Sequence, residues 1–245
     1  MFLRVWVCAG SVPTRSMTRE GVTSVTRGVT TLAGMAQGEA GSRGPDATSG
    51  AARGLAQVAI FAGIIAALGL LPAVPVPGMP VPITLQTLGV MLAGAVLGAR
   101  KGALSVLLFL AIVAIGLPLI SGGRGGLGVF ATPSVGFFLA WPIAAFVIGW
   151  LTQRRGAPYS IPWGIGFNVV GGIVVMYAFG LVGIMLVGGL SLPAAVAAVA
   201  IFIPGDVIKA VLAALIAAPV HRAYPGLLVP RSASPKAVGP ADGAA

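Results

Sequence analysis

The chain has 245 residues, of which 57% are hydrophobic and 8% charged, with a mean hydropathy of +1.02. A soluble globule carries about a quarter of its residues as charges, so this composition excludes an ordinary cytosolic enzyme and points to a polytopic membrane protein. The formal charge is +10, from 15 Lys and Arg against 5 Asp and Glu. No basic run interleaved with aromatics occurs on a soluble segment, so the charge belongs to membrane-flanking loops and not to nucleic-acid binding. The single Cys8 excludes an intramolecular disulfide and a Cys-based metal cage, and the single His221 excludes a His cluster.

Residues 1–53 are rich in Gly, Ser, Thr and Arg without sustained periodicity and read as a disordered, dispensable tail, with Met17 or Met35 as alternative starts. Apolar stretches then follow closely. Span 1 is expected over about Leu55–Leu71, ending at the Pro-rich segment 72–82. Span 2 is expected over Ile83–Leu97, span 3 over Gly102–Leu119 and span 4 over Val135–Leu151. Span 5 covers Ile161–Val187, and span 6 covers Ala194–Val220, interrupted by Pro204. The expected architecture is an all-α bundle of six transmembrane helices over residues 54–221, with a second disordered tail at 222–245. Basic residues Arg100/Lys101, Arg154/Arg155 and Arg222 follow spans 2, 4 and 6. With six spans they all fall on one side, and the positive-inside rule then places both termini in the cytoplasm.

Chemistry concentrates at three places. Asp206 is the only acid between residues 47 and 241, and Lys209 follows three residues later. Residues i and i+3 share a helix face, and a charge at the bilayer centre costs roughly 2.5–3.5 kcal/mol on insertion scales, so the pair belongs inside the bundle. It reads either as an internal ion pair or as a polar ligand site. A carboxylate accepting from N–H groups and an ammonium donating to a carbonyl suit a urea- or amide-like head. The loop at 121–134 holds Arg124 between Gly123 and Gly125, where backbone can approach a ligand and Arg can clamp a carboxylate. Thr84 and Gln86 enter span 2 behind a Pro-rich segment and either line a cavity or bond a neighbouring helix. Tyr177 lies deep enough in span 5 to reach a ligand, while Asn168 reads as helix glue. In span 1, Ala59-x-x-x-Gly63 and Ala62-x-x-x-Ala66 place small residues four apart, a groove that admits another helix.

The segments 81–98 and 114–137, together with Asp206-x-x-Lys209, closely resemble the BioY family, the biotin-specific S components of energy-coupling factor (ECF) vitamin transporters. The resemblance covers about residues 55–220. It implies a membrane subunit of the bacterial cell membrane that captures biotin as transported substrate and has no cofactor of its own. It also implies a transmembrane coupling protein and two ATPase subunits as partners, or a homo-oligomer acting alone. No G-x-x-x-x-G-K-[ST] motif occurs in the chain, so ATP is used by partners. Asp206 and Lys209 match the family's pair that holds the ureido ring. Some members carry Asn at the position of Arg124 and an Arg fourteen residues on, where this chain has Phe138. Arg124 is assigned to the carboxylate, a register that also permits contact with the ring. The groove of Ala59, Ala62, Gly63 and Ala66 resembles the surface that S components turn to the coupling protein. The alternatives are an S component for another vitamin, or an intramembrane enzyme using Asp206 and Lys209. The latter lacks a Ser or Cys nucleophile near a His and any metal-ligand cluster, so the chain reads as a transporter and not an enzyme.

Overall fold

The computed structural model describes residues 45–78 and 80–228, so most of the expected N-terminal tail and most of the C-terminal one lie outside the described residues. The chain divides into two units, residues 1–51 and residues 52–245. Of the first unit, residues 45–51 are helical. The site lies wholly within the second.

Helix α1 spans Pro45–Gly69 and begins upstream of the expected first span. Pro suits a first helical turn, where its missing N–H would have no intrahelical partner. Helix α2 covers Gln86–Leu97, α3 Ala99–Ala114 and α4 Val135–Arg155. Helix α5, Ile161–Val169, runs through a π-helical segment, Val170–Val175, directly into α6, Met176–Leu186. Helices α7, Leu192–Ala200, and α8, Ile203–Ala223, complete the described residues apart from two short 3-10 turns.

This architecture corrects the expected six-transmembrane-helix bundle. With α5, the π segment and α6 counted as one helix, the described residues form seven helices, and four are long and apolar enough to cross a membrane. These four, at Gly50–Gly69, Val135–Arg155, Ile161–Leu186 and Ile203–Ala223, make the chain a multi-pass membrane protein. The 12 residues of α2 reach only about 18 Å, and the 16 of α3 about 24 Å, at 1.5 Å per residue against a hydrocarbon core of about 30 Å.

The physical reasons are local. Helix α2 starts late because the Pro-rich segment before it is extended, with an antiparallel bridge between Val74 and Ile83. It stops at Gly98, whose φ of +80° leaves helical space. Helix α3 ends before Gly116, Leu117 and Pro118, since the residue before a Pro is pushed out of α conformation. The expected sixth span breaks at Ile201 and Phe202 into α7 and α8, just ahead of Pro204. The argument that put both termini in the cytoplasm needs an even count of six full spans and falls with it.

Ten of the twelve α2 residues are buried, which makes this short helix the centre of the packing. Gly94 lets α2 meet α4 at backbone distance, because a Cβ there would strike the Ala145 carbonyl. The core contains Phe109, Phe137, Trp141 and Tyr177, with a second cluster around Met91 and Ile148. Large apolar side chains such as Leu104, Ile143, Val174 and Leu215 point outward and are exposed, as lipid-facing surfaces are.

Candidate functional site

The break between α7 and α8 sets the position of the central charges. It starts α8 afresh at Ile203, so Asp206 falls in the first turn of a helix instead of mid-span. There the N-terminal end of the helix dipole favours a carboxylate. Lys209 lies one turn on, and the two form a buried ion pair, Nζ to Oδ1 at 2.8 Å.

The extended entry to α2 brings the rest of the polar shell. Lys209 Nζ donates to the Thr84 carbonyl at 2.7 Å and to Thr87 Oγ1 at 3.1 Å. Thr87 Oγ1 in turn donates to Asp206 Oδ1 at 3.5 Å. Asp206, Lys209 and Thr87 therefore close a ring of hydrogen bonds, and all three ammonium donors have protein acceptors. On the other side, the Tyr177 phenol donates to Asp206 Oδ2 at 2.5 Å. Two charges in a low-dielectric interior persist only when they are paired and hydrogen-bonded, and this shell pairs both while leaving Asp206 Oδ2 room for one more donor.

These groups line one cavity that opens to the surface. Thr84, Gln86, Arg124, Tyr177, Asp206 and Lys209 all lie on its wall, so six of the eight ligand candidates come together. Gly123 and Gly125 are not on the wall. Gly123 supplies a turn at φ +69°, and Gly125 packs against the backbone of Leu117 and Pro118, leaving no room for a side chain.

Gln86 has a second role. Its amide nitrogen donates to the carbonyls of Leu119 at 3.0 Å and Ile65 at 3.4 Å. Its oxygen accepts from the Ser121 amide at 3.0 Å and hydroxyl at 3.2 Å. With its amide fully engaged, Gln86 ties the last turns of α1 and the 119–121 loop to the start of α2. Arg124 closes the adjacent hairpin through paired backbone bonds with Ile120. Among the described residues its side chain makes one hydrogen bond, from Nε to the Ser121 carbonyl at 3.4 Å. The rest of this half-buried guanidinium is available at the cavity.

The other wall is aromatic, with Phe137, Phe138 and Trp141 from α4 and Phe202 from the α7–α8 break. Sequence reading missed Thr87 and Trp141. Thr87 directly follows Gln86 as a second polar residue at the start of an apolar helix, and a polar group inside an apolar bundle must find partners. Trp141 had no such signal, since an aromatic on an apolar helix reads as core.

In α1 the two small-residue motifs separate. Ala62 is buried in the core and Ala66 packs half-buried against it, whereas Ala59 and Gly63 are exposed. Asn168 donates to the Ala210 carbonyl at 3.0 Å, linking α5 to α8.

The sequence profile of the BioY family matches residues 32–226. The chain belongs to the BioY family. It is 50% identical over 179 residues to the biotin transporter BioY of Rhizobium etli, an alignment covering 71% of this chain and 95% of that one. It is 49% identical over 189 residues to the biotin transporter BioY of Rhodobacter capsulatus, covering 73% and 98% respectively. Its fold is similar to a crystal structure of the S-component for biotin from an ECF-type ABC transporter, with a TM-score of 0.67 and 31% identity over 71% of this chain and 93% of that one. Membership in this transporter family makes the BioY-type chain a transport protein and not an enzyme.

Proposed function

We propose that the chain is a biotin-uptake subunit of the bacterial cell membrane, holding biotin in the cavity between α2, α4, α6 and α8. The observation that carries this reading is the Asp206–Lys209 pair on the cavity wall, in a chain about half identical to proteins named as biotin transporters. A ureido ring offers two N–H donors and one carbonyl acceptor. Asp206 Oδ2 already accepts from Tyr177 and has a second lone pair for a ring N–H. Arg124 meets the carboxylate of the valeryl chain at the cavity mouth, as a guanidinium suits a carboxylate geometrically and electrostatically.

Energy comes from partners. The likeness to an S-component of an ECF-type transporter supports assembly with a transmembrane coupling protein and two ATPase subunits, where ATP is consumed. The exposed Ala59 and Gly63 face of α1 is the surface for the coupling protein, because small residues allow close helix approach.

Calorimetric titration of the detergent-purified chain tests the reading. Biotin binds and thiamine or riboflavin does not. Binding of another vitamin in preference to biotin overturns it.

A further inference from the structure

Lys209 does not have a free donor for a ligand. Its three N–H groups go to Asp206 Oδ1, the Thr84 carbonyl and Thr87 Oγ1, the full capacity of an ammonium. A ligand carbonyl in this cavity needs a donor from elsewhere. Arg124 sits in the hairpin at the mouth, on the 120–124 turn.

On the α4 wall, Trp141 is 3% exposed, and its indole Nε1 is buried with no protein acceptor among the described residues. Buried donors are nearly always paired, and an indole nitrogen can only donate. The ring is held in place by neighbours on two sides. Phe138 meets it edge-on at 5.2 Å between centroids, and Phe109 lies tilted at 6.2 Å. The ring is thus held within a wall that Asp206, Lys209 and Tyr177 share.

We propose that the Trp141 indole N–H donates to the carbonyl oxygen of the ureido ring, from α4, while Asp206 on α8 accepts a ring N–H. The two ends of one polar group are then read by two helices that no hydrogen bond in the ligand-free shell connects. This rests on biotin being the ligand and adds a specificity-determining residue to that site.

The test compares biotin with 2-thiobiotin, which carries sulfur, a weaker acceptor, in place of the ureido oxygen. The wild-type chain prefers biotin on the order of tenfold. Trp141→Phe keeps an aromatic ring and removes the N–H, so the preference falls to near one while affinity for 2-thiobiotin changes little. A folded Trp141→Phe protein that keeps the wild-type preference overturns the inference. If the Phe variant does not fold, β-(3-benzothienyl)alanine at position 141 preserves the bicyclic shape with sulfur in place of N–H, and the same ratio decides. Failure of the wild type to bind biotin overturns the ligand assignment along with the inference. Unchanged preference in the variant overturns the inference alone.

Discussion

The phenol of Tyr177 donates to Oδ2 of Asp206 at 2.5 Å, joining α6 to the first turn of α8. Tyr177 lies two residues after the π-helical segment Val170–Val175. A π turn inserts an extra residue and shifts the register of everything beyond it by about 100°. That register puts Tyr177 on the cavity face. Deleting Val174, an exposed residue of the segment, converts the turn to regular helix and rotates Tyr177 off Asp206. The expected outcome is a protein that inserts but loses biotin binding, while Tyr177→Phe in the intact chain weakens it by only about 1.5–3 kcal/mol, the value of a hydrogen bond to a charged group. Equal affinity in the deletion variant and the wild type would show that Tyr177 does not need the π register.

Asp206→Asn and Lys209→Met each weaken biotin binding by about 2–4 kcal/mol, because removing one partner leaves the other charge buried and unpaired. The double variant is neutral inside the bundle and unfolds at a higher temperature than either single one, yet does not bind biotin. Titration of biotin into the folded double variant checks this. Near-wild-type affinity there makes the pair structural glue.

The charged pair and most of its shell were legible because charge is so rare here. Asp206, Lys209 and Arg124 are three of seven charges between residues 54 and 219, and a charge in an apolar chain has few places to go. Helix count was not legible from hydropathy, since apolar runs do not record where backbone stops being helical. The run at 83–97 loses its first three residues to the bridge at Ile83 and the turn before Gln86. The run at 194–220 keeps its apolar character straight through the break at Ile201 and Phe202. The double role of Gln86 was half visible. A buried amide must find partners, but which ones depends on the fold of the 119–121 loop around it.

Gln86→Leu is expected to lower stability by about 1–3 kcal/mol, since the Ser121 amide and the Leu119 carbonyl lose their buried partner. Thermal unfolding in detergent reads this directly. Because Gln86 anchors the loop that carries Arg124, the carboxylate end of the site also loosens, so discrimination between biotin and biotin amide falls with it. Unchanged unfolding temperature would mean that the loop is held without the amide.

Arg124→Gln separates the charge of the loop from its shape. Biotin amide lacks the negative charge and binds the wild type about 1.5–3 kcal/mol more weakly than biotin, toward the lower end because Arg124 is half-buried and screened at an open mouth. In folded Arg124→Gln the acid and amide bind alike. If the variant still favours the acid by the wild-type margin, the carboxylate is held by another group on the wall.

Ala62 and Gly63 are adjacent in sequence, one turned to the core and the other exposed, and they separate folding from assembly. Ala62 is buried in the core, so Ala62→Leu overpacks the contact of α1 with the bundle and costs about 1–3 kcal/mol of stability. Gly63 is exposed, and a Cβ there meets nothing within 4 Å, so Gly63→Leu is tolerated by the isolated subunit and improves helix propensity by roughly 0.8 kcal/mol. A leucine on that face nevertheless blocks another helix from approaching at the distance that Ala and Gly permit. The expected result is wild-type biotin titration for Gly63→Leu together with a large loss of coupling protein in co-purification from cells expressing the whole module. Ala62→Leu instead lowers the unfolding temperature of the subunit itself. Should Gly63→Leu co-purify with the coupling protein as the wild type does, the exposed face of α1 is lipid-facing and the coupling protein docks on another helix.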